Sequence, residues 1–158
     1  MPEDGIYQPV FVGPNPHMPE GFVRDNTGDN ISEKNPNFCE LTGLYWAWKN
    51  LDADYLGIAH YRRHFSIKKD NSNKRNCVLT GQQLGKVLEE TDVILPKPRN
   101  YFIETNYSQY AHAHHAIDLD TTREIIQEKC PEYLAAFDES MKKTTGHRFN
   151  MFIMKREL

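Results

Sequence analysis

DYLGIAHYRRHF, residues 54–65, is an apolar run that ends in polar and aromatic side chains. The run lacks the strict alternation of a half-exposed strand, which predicts a strand inside a parallel or mixed sheet. Open α/β sheets bind ligands beyond the carboxyl ends of such strands. His60, Arg62 and Arg63 follow the strand, and paired guanidinium groups suit phosphate or carboxylate oxygens. The stretch predicts an anion site; in the alternative interpretation the arginines are only solvated and His60 packs against the next element.

Length and composition indicate one globular domain with its own core. The chain has 158 residues, of which 39% are hydrophobic and 26% are charged. These fractions exclude a disordered tail and predict a soluble protein. The net charge of -3 gives no general attraction for nucleic acid, so any anion site must be local.

Cysteine usage and hydropathy indicate the cellular compartment. Cys39, Cys77 and Cys130 are far apart and form no C-x-x-C pair, which argues against a disulfide framework or a zinc knuckle. The sequence contains no apolar run of transmembrane length and no signal-peptide pattern at its start. We expect a cytoplasmic protein, and peripheral association with the inner face of the plasma membrane is compatible with this sequence.

Helix and strand signals alternate along the chain and predict an α/β fold, with helices against the faces of a mixed sheet. The predicted strands are 6–12, 54–59, 91–95 and 151–154, and the predicted helices are 35–50, 81–90, one beginning with the capping box 121–124 and one beginning at Pro131. The sequence contains no internal repeat and no domain-scale linker. A single domain over residues 1–158 follows.

The first long helix follows a loop that is dense in Asp and Asn. Residues 13–34 are predicted to be mostly loop, either building turns or binding a sugar or nucleotide. Asn35 is the predicted N-cap and Pro36 the first helical residue. Trp46 and Trp48 cannot share a helix face. Spacing puts Trp48 on the buried stripe with Leu41, Leu44 and Tyr45, and leaves Trp46 available for stacking.

Three histidines near the middle of the chain raise the question of a metal site. His112, His114 and His115 lie close together in sequence, and His112 and His115 are three residues apart. The segment contains neither Asp nor Glu among them and no His-Glu-x-x-His motif. Metal binding, substrate contact and an ordinary helix surface remain open for these residues.

Several long motifs resemble a bacterial family catalogued as a domain of unknown function. They are residues 25–32, 34–35, 38–50, 60–65 and 149–155, in this order along the chain. Members of that family are associated with capsular and exopolysaccharide synthesis and are similar to glycosyltransferases of the GT-A type. The resemblance implies a GT-A-like, Rossmann-like fold. It also implies a further strand before residue 6 and further helices after residue 158, so we expect an incomplete domain.

The resemblance implies a donor site at the end of the strand 54–59. Many GT-A enzymes hold a divalent metal there with an Asp-x-Asp motif, and this chain has His60-Tyr61-Arg62-Arg63 instead. Arg62 and Arg63 are expected to stabilise the departing nucleoside diphosphate in the place of a metal. Asn30 and Lys34 are expected to assist them. No metal-binding residue is predicted, although Mn or Mg bound with the nucleotide-sugar is compatible with the family.

The remaining site residues follow from the same resemblance. An inverting transfer needs a base for the acceptor hydroxyl, and Asp25, Asp29 and Glu40 are the candidates. His60 is expected to be a hydrogen-bond partner or an acid. The residues expected to contact the acceptor or its sugar are Trp46, His147 and Asn150.

Three functions from different classes therefore remain. The first is a glycosyltransferase that moves a sugar from a nucleotide-sugar donor to a glycan or lipid-linked acceptor in capsular or exopolysaccharide biosynthesis. The second is a non-catalytic carbohydrate-binding or assembly subunit with the same fold. The third is a metal hydrolase that uses His112, His114 and His115. Nucleic-acid binding is not expected, because the chain is acidic and has no basic-aromatic face.

Overall fold

A computed structural model describes residues 4–14, 16–68 and 73–158. The chain divides into two compact units, and each is described here by itself. Unit 1 comprises residues 1–95 together with 151–158, and unit 2 comprises residues 96–150. The single domain expected over residues 1–158 stays a prediction.

Short strands and helices alternate along both units. The strands are β1 (Val10–Phe11), β2 (Val23–Arg24), β3 (Tyr55–Ile58), β4 (Val93–Ile94), β5 (Arg99–Asn100), β6 (Thr145–Gly146) and β7 (Phe152–Lys155). The helices are α1 (Asn35–Phe38), α2 (Leu41–Asn50), α3 (Gly81–Leu88), α4 (Asn106–Ala113), α5 (Ala116–Lys129) and α6 (Leu134–Lys142), with 3₁₀ turns at Ser32–Lys34, Lys74–Cys77 and Pro131–Tyr133. The mixed α/β class predicted from the sequence is confirmed.

The main sheet of unit 1 has the order β3-β7-β4, and β7 runs antiparallel to both neighbours. The sequence placed β3 inside a parallel or mixed sheet. In the described part of the chain β3 instead pairs with β7 alone, and β7 is the central strand. The periodicity of a strand indicates only which of its faces are covered and not which strand pairs with it. The partner of β3 could not be predicted in this way, because β7 follows almost a hundred residues later. β1 and β2 form a separate parallel pair.

The core of unit 1 includes Phe65, which ends the segment that follows β3. Phe65, Leu79 and Met151 are buried together, and partly buried apolar side chains pack against them. Phe65 also accepts a backbone hydrogen bond from Leu79, with 2.9 Å between nitrogen and oxygen. The chain is therefore fixed both before and after the polar residues 60–64.

The helix predicted over 35–50 is interrupted at Cys39, whose φ of 48° and ψ of -127° are not helical. Pro36 begins the first part as expected, and α2 starts a new helix at Leu41. The second part instead buries the face formed by Thr42, Gly43 and Trp46. Trp46 is 6% exposed and Trp48 is 43% exposed, so the predicted buried stripe was wrong about Trp48.

Helix starts could be predicted only in part. The capping box of Thr80 and Gln83 opens α3, as predicted. The motif at 121–124 opens no helix, because α5 has already begun at Ala116. Inside α5 the hydroxyl of Thr122 donates to the carbonyl of Asp118, at 2.6 Å. The motif was therefore a false signal from residues in the middle of a helix.

In unit 2, α4, α5 and α6 pack against one another, and β5 and β6 form an antiparallel pair. The Asn106 amide of α4 donates to the Thr145 carbonyl of β6 at 2.9 Å. Arg123 on α5 donates two hydrogen bonds to Asp138 on α6, at 2.7 and 2.8 Å. These hydrogen bonds lower the pKa of Asp138. The bidentate geometry joins the two helices. In the part of the chain that the structure describes, no helix is long and apolar enough to cross a membrane.

Candidate functional site

The end of β3 carries a tight turn that presents cations to solvent. His60 and Arg63 exchange two backbone hydrogen bonds, each with 3.0 Å between nitrogen and oxygen. Tyr61, Arg62 and Arg63 are exposed, and Tyr61 is 82% exposed. The Arg62 guanidinium lies 4.8 Å from the centre of the Tyr61 ring. The turn therefore offers guanidinium groups and an aromatic face on one accessible segment.

Glu40 lies beside His60, although the two residues are distant in sequence. His60 Nε2 and Glu40 Oε1 are 3.9 Å apart, and the side chains are 20% and 34% exposed, respectively. The interruption of the helix at Cys39 places Glu40 immediately before α2. The two backbone hydrogen bonds with Arg63 fix the position of His60. A carboxylate beside an imidazole can accept or relay a proton in an accessible site.

Asp25 is built into the protein interior. It is 1% exposed, and each of its carboxylate oxygens accepts one hydroxyl hydrogen bond. Ser32 donates at 2.7 Å and Thr42 donates at 2.6 Å. The Asn35 amide in turn donates to the Thr42 hydroxyl at 3.3 Å. The carboxylate thus joins the Asp/Asn loop to the beginning of α2.

Asp29 lies on the same loop and is exposed. Its carboxylate accepts a hydrogen bond from the Tyr45 hydroxyl at 3.2 Å, and partial burial together with this bond raises the pKa of Tyr45. Asn50 at the end of α2 holds the loop backbone by donating to the Asp29 carbonyl at 2.8 Å and accepting from its amide at 3.2 Å. Asp29 is therefore accessible and held on α2.

The other residues predicted from the Asp/Asn loop and α2 differ in exposure. The Asn30 amide donates to the Gly28 carbonyl at 2.9 Å and accepts from the Ser32 backbone at 3.2 Å. Lys34 is exposed at the end of its 3₁₀ turn. The buried Trp46 donates its indole N–H to the Thr27 hydroxyl at 2.9 Å. Lys34 therefore offers an accessible charge, and the polar atoms of Asn30 and Trp46 bond within the fold.

His147 and Asn150 both belong to unit 2. His147 is exposed, and its Nδ1 lies 2.6 Å from the carbonyl oxygen of Pro96. Asn150 is also exposed and has a φ of 51°, directly after Phe149 with a φ of 72°. Two consecutive non-glycine residues in the left-handed region are uncommon and are found most often in functional segments.

The three neighbouring histidines each have different surroundings in the described residues. His112 contacts Glu104 at 2.5 Å, and His114 packs its ring against Tyr110 at 4.8 Å. His115 precedes α5 and is exposed. Across residues 4–14, 16–68 and 73–158, no three His, Cys, Asp or Glu residues are arranged to hold a metal ion. The metal-hydrolase alternative therefore lacks its ligand set in the described residues.

Tyr61 is a candidate that the sequence prediction left out. The residue stood in the quoted motif, but its type alone did not distinguish a core aromatic from an exposed one. An aromatic residue that directly precedes two arginines at a strand end was the signal available. Its exposure and the guanidinium stacked on it make it a candidate ligand contact.

The fold and the site together define a mixed α/β protein with an accessible arginine turn beside a carboxylate–imidazole pair. The chain belongs to the family described as Domain of unknown function (DUF4422), whose family model matches residues 1–158. This membership confirms the resemblance found in the sequence.

The chain is also similar to a solved glycosyltransferase, the bifunctional WbbM in its apo structure. The TM-score is 0.84 and the sequence identity is 32%, over 99% of this chain and 32% of that chain. This chain therefore spans about a third of the length of the protein it matches. No curated protein matches the sequence.

Proposed function

We propose that this chain transfers a sugar from a nucleotide-sugar donor to a glycan or lipid-linked acceptor in capsular or exopolysaccharide biosynthesis. The observation that carries the proposal is the similarity to WbbM, described as a bifunctional glycosyltransferase, at a TM-score of 0.84. The family resemblance in the sequence supports the polysaccharide pathway. The arginine turn and the Glu40–His60 pair supply groups suited to the chemistry.

In the proposed reaction the acceptor oxygen forms a bond to the anomeric carbon of the donor sugar. The bond from that carbon to the diphosphate breaks, and its electron pair goes to the diphosphate oxygen. Arg62 and Arg63 bind the diphosphate and stabilise the charge that develops on it. Lys34, which is exposed at the end of its 3₁₀ turn, is proposed as a third cation. Guanidinium groups are not metal ligands, so the turn itself does not fit Mn or Mg, and the arginines take the electrostatic role.

The acceptor proton needs a base if the sugar configuration inverts. Glu40 is our choice among the three predicted carboxylates, because it is accessible and lies 3.9 Å from His60. Asp25 is 1% exposed and its two oxygens already accept hydrogen bonds, so we assign it a positioning role. Asp29 remains the second candidate. His60 orients Glu40 or accepts the proton from it.

The exposed Tyr61 adds a ring contact to the proposal. The exposed Tyr61 ring, with Arg62 over it, offers a surface on which a nucleobase or sugar ring can stack. His147, Asn150 and Trp46 are proposed acceptor contacts on the family resemblance alone. Asn30 is proposed as a contact of the donor diphosphate on the same ground.

Calorimetry with uridine, guanosine and cytidine diphosphates, with and without manganese, tests the donor site. We expect one of these nucleotides to bind, and we expect the double variant Arg62→Ala/Arg63→Ala to weaken its binding by about a hundredfold, because two charge-assisted contacts are lost. Lys86→Ala removes an exposed cation from α3 and is the matched control, with unchanged affinity expected.

Two results would contradict this proposal. The first is binding of glycan without binding of any nucleotide, which is expected of a non-catalytic carbohydrate-binding subunit. The second is a double variant that binds nucleotide as tightly as the unaltered chain. A transfer assay with Glu40→Gln then addresses the base, which should lose turnover while keeping nucleotide affinity.

A further inference from the structure

Unit 2 exposes two large apolar side chains at the tip of one loop. Phe102 is 81% exposed and Ile103 is 94% exposed. Phe102 also has a φ of 63°, a conformation that is strained for a bulky residue. Strained backbone of this kind persists only where the surrounding structure fixes it, and it is concentrated at functional segments. The loop holds its most apolar residues away from the core at an energetic cost.

The loop is firmly held at both of its ends. The Tyr101 amide donates to the Thr144 carbonyl at 2.8 Å, and the Phe102 amide donates to the Asn100 side chain at 2.7 Å. The Glu104 amide donates back to the Tyr101 carbonyl at 3.3 Å, which closes the turn. A tip held in this way loses little conformational entropy when a partner covers it.

Basic side chains lie along the strand pair that leads to the tip. Arg99 on β5 is exposed two residues before Tyr101, and Lys97 is exposed in the approach to β5. Arg148 donates from Nε to the Tyr101 hydroxyl at 3.0 Å. The carboxylate within the loop, Glu104, already contacts His112 at 2.5 Å. The tip is therefore contacted by one arginine and preceded along the chain by two exposed cations.

We infer that the tip of residues 101–104 inserts into the interfacial region of a membrane that contains anionic lipids. Apolar side chains enter the headgroup–acyl boundary and nearby arginines attract anionic headgroups, which is the arrangement that interfacial membrane binding uses. Two side chains at one turn are too small an area for a stable protein interface, which needs about 800 Å² on each partner. The inference concerns docking alone and does not depend on sugar transfer.

A reporter variant tests insertion directly. Both native tryptophans, Trp46 and Trp48, lie in unit 1, so Phe102→Trp introduces a new fluorophore at the tip. With vesicles of phosphatidylglycerol and phosphatidylcholine in equal parts, we expect its emission to shift to the blue and to be quenched by brominated acyl chains. The matched control is Ile125→Trp on α5, at a position that is 53% exposed, where we expect neither change.

Sedimentation with the same vesicles tests the contribution of each group. Phe102→Ser/Ile103→Ser should lower the partition coefficient at least about tenfold, because the variant no longer buries two apolar side chains. Arg99→Gln should lower it about fivefold on anionic vesicles and leave binding to pure phosphatidylcholine unchanged. Ile125→Ser should bind like the unaltered chain.

Three outcomes would overturn the inference. They are emission of the Phe102→Trp variant that ignores the vesicles, a tip double variant that sediments like the unaltered chain, and an Ile125→Ser variant that loses binding as strongly as the tip variant. Nucleotide affinity serves as the independent readout, since tip variants should retain it. Failure of membrane docking and failure of the proposed sugar transfer are therefore distinguishable.

Discussion

Asp25 shows how a carboxylate at a single position can serve structure rather than chemistry. Its oxygens accept from Ser32 and Thr42 in a site that is closed to solvent. In Asp25→Asn an NH₂ group replaces one carboxylate oxygen and faces the hydroxyl of Ser32 or Thr42, which donated to that oxygen. One buried hydrogen bond is therefore lost. We expect the free energy of unfolding to fall by about 2 kcal/mol.

Urea unfolding measures this loss, with Asp52→Asn as the control at an exposed carboxylate. The control should stay within about 0.5 kcal/mol of the unaltered chain. An Asp25→Asn variant of undiminished stability that fails to transfer sugar would instead assign Asp25 the role of the base.

His64 provides a second prediction at the scale of one residue. Its Nδ1 is buried without a hydrogen-bond partner in the described residues, and its ring lies edge-on to Tyr7 with 6.4 Å between centres. Burial lowers the pKa of His64. The folded state therefore prefers the neutral ring, and the unfolded chain, with a pKa of about 6.5, binds the proton more readily. The contribution of the neutral His64 to the free energy of unfolding is fully present above a pH of about 6.5, and it decreases as the pH falls toward the pKa of the folded state.

Unfolding between about pH 7.5 and pH 5 measures the effect, which reaches at most about 1.4 kcal/mol per pH unit. His64→Phe should remove this part of the acid-side slope, because it removes the titrating group. His115→Gln, at an exposed imidazole before α5, should leave the slope as it was. Equal slopes in the His64→Phe variant and the unaltered chain would contradict the account.

At the scale of elements, the contact between β3 and β7 depends on a glycine. A Cβ added to Gly57 would lie 2.6 Å from the Phe152 carbonyl oxygen and 2.7 Å from Ile153 Cγ1. Two strand backbones cannot easily move apart within a paired sheet, so we expect Gly57→Ala to cost about 2 kcal/mol of unfolding free energy. The displacement of β3 would also move the turn at His60.

Gly85 offers the matched control for this substitution. It lies within α3, and a Cβ there meets nothing within 4 Å. Gly85→Ala should stabilise the chain by about 0.5 to 1 kcal/mol, because alanine favours a helix over glycine. Thermal unfolding of the two variants should therefore shift in opposite directions, and a shift in the same direction would refute the steric account.

Elements were predictable from the sequence where a local signal decides the structure. Thr80 and Gln83 satisfy the first amides of α3 with their own side chains, so the residues at that position suffice. The burial of Trp46 was not predictable, since it depends on which face of α2 is covered by distant residues such as Thr27, which accepts the indole N–H. The interruption at Cys39 was not predictable either, because no residue type at that position indicates a positive φ. Pattern matching fails where the backbone leaves its regular path.

Residues of the candidate site were likewise predictable where a local pattern places them, and not where they meet through the fold. The arginines after β3 were predictable because they follow an apolar run directly. The pairing of Glu40 with His60 was not, because the two residues are twenty positions apart and meet only through the packed fold. Likewise, the residues near Asp25 in sequence did not indicate that Thr42 donates a hydrogen bond to it.

At the scale of the whole molecule, the order of the chain makes unit 1 depend on its last strand. β7 lies between β3 and β4 and pairs with both, although unit 2 separates it from them in sequence. Met151, just before β7, is also part of the buried core. Contacts between such distant segments form late and cooperatively, so the sheet cannot close before the whole chain is present.

Truncation after Asn150 tests this dependence, because it removes β7 and Met151 while leaving unit 2 intact in sequence. Both tryptophans lie in unit 1, so their fluorescence reports that unit alone. We expect the buried Trp46 to become solvated, with a red-shifted emission, while the helices of unit 2 keep part of the far-UV circular dichroism. Removal of Glu157 and Leu158 alone leaves β7 complete and should leave the emission unchanged. Native emission after the longer truncation would contradict this dependence, because β3 and β4 would then keep their positions without the strand between them. The geometry of the turn at His60 would in that case depend on the neighbouring helix α2.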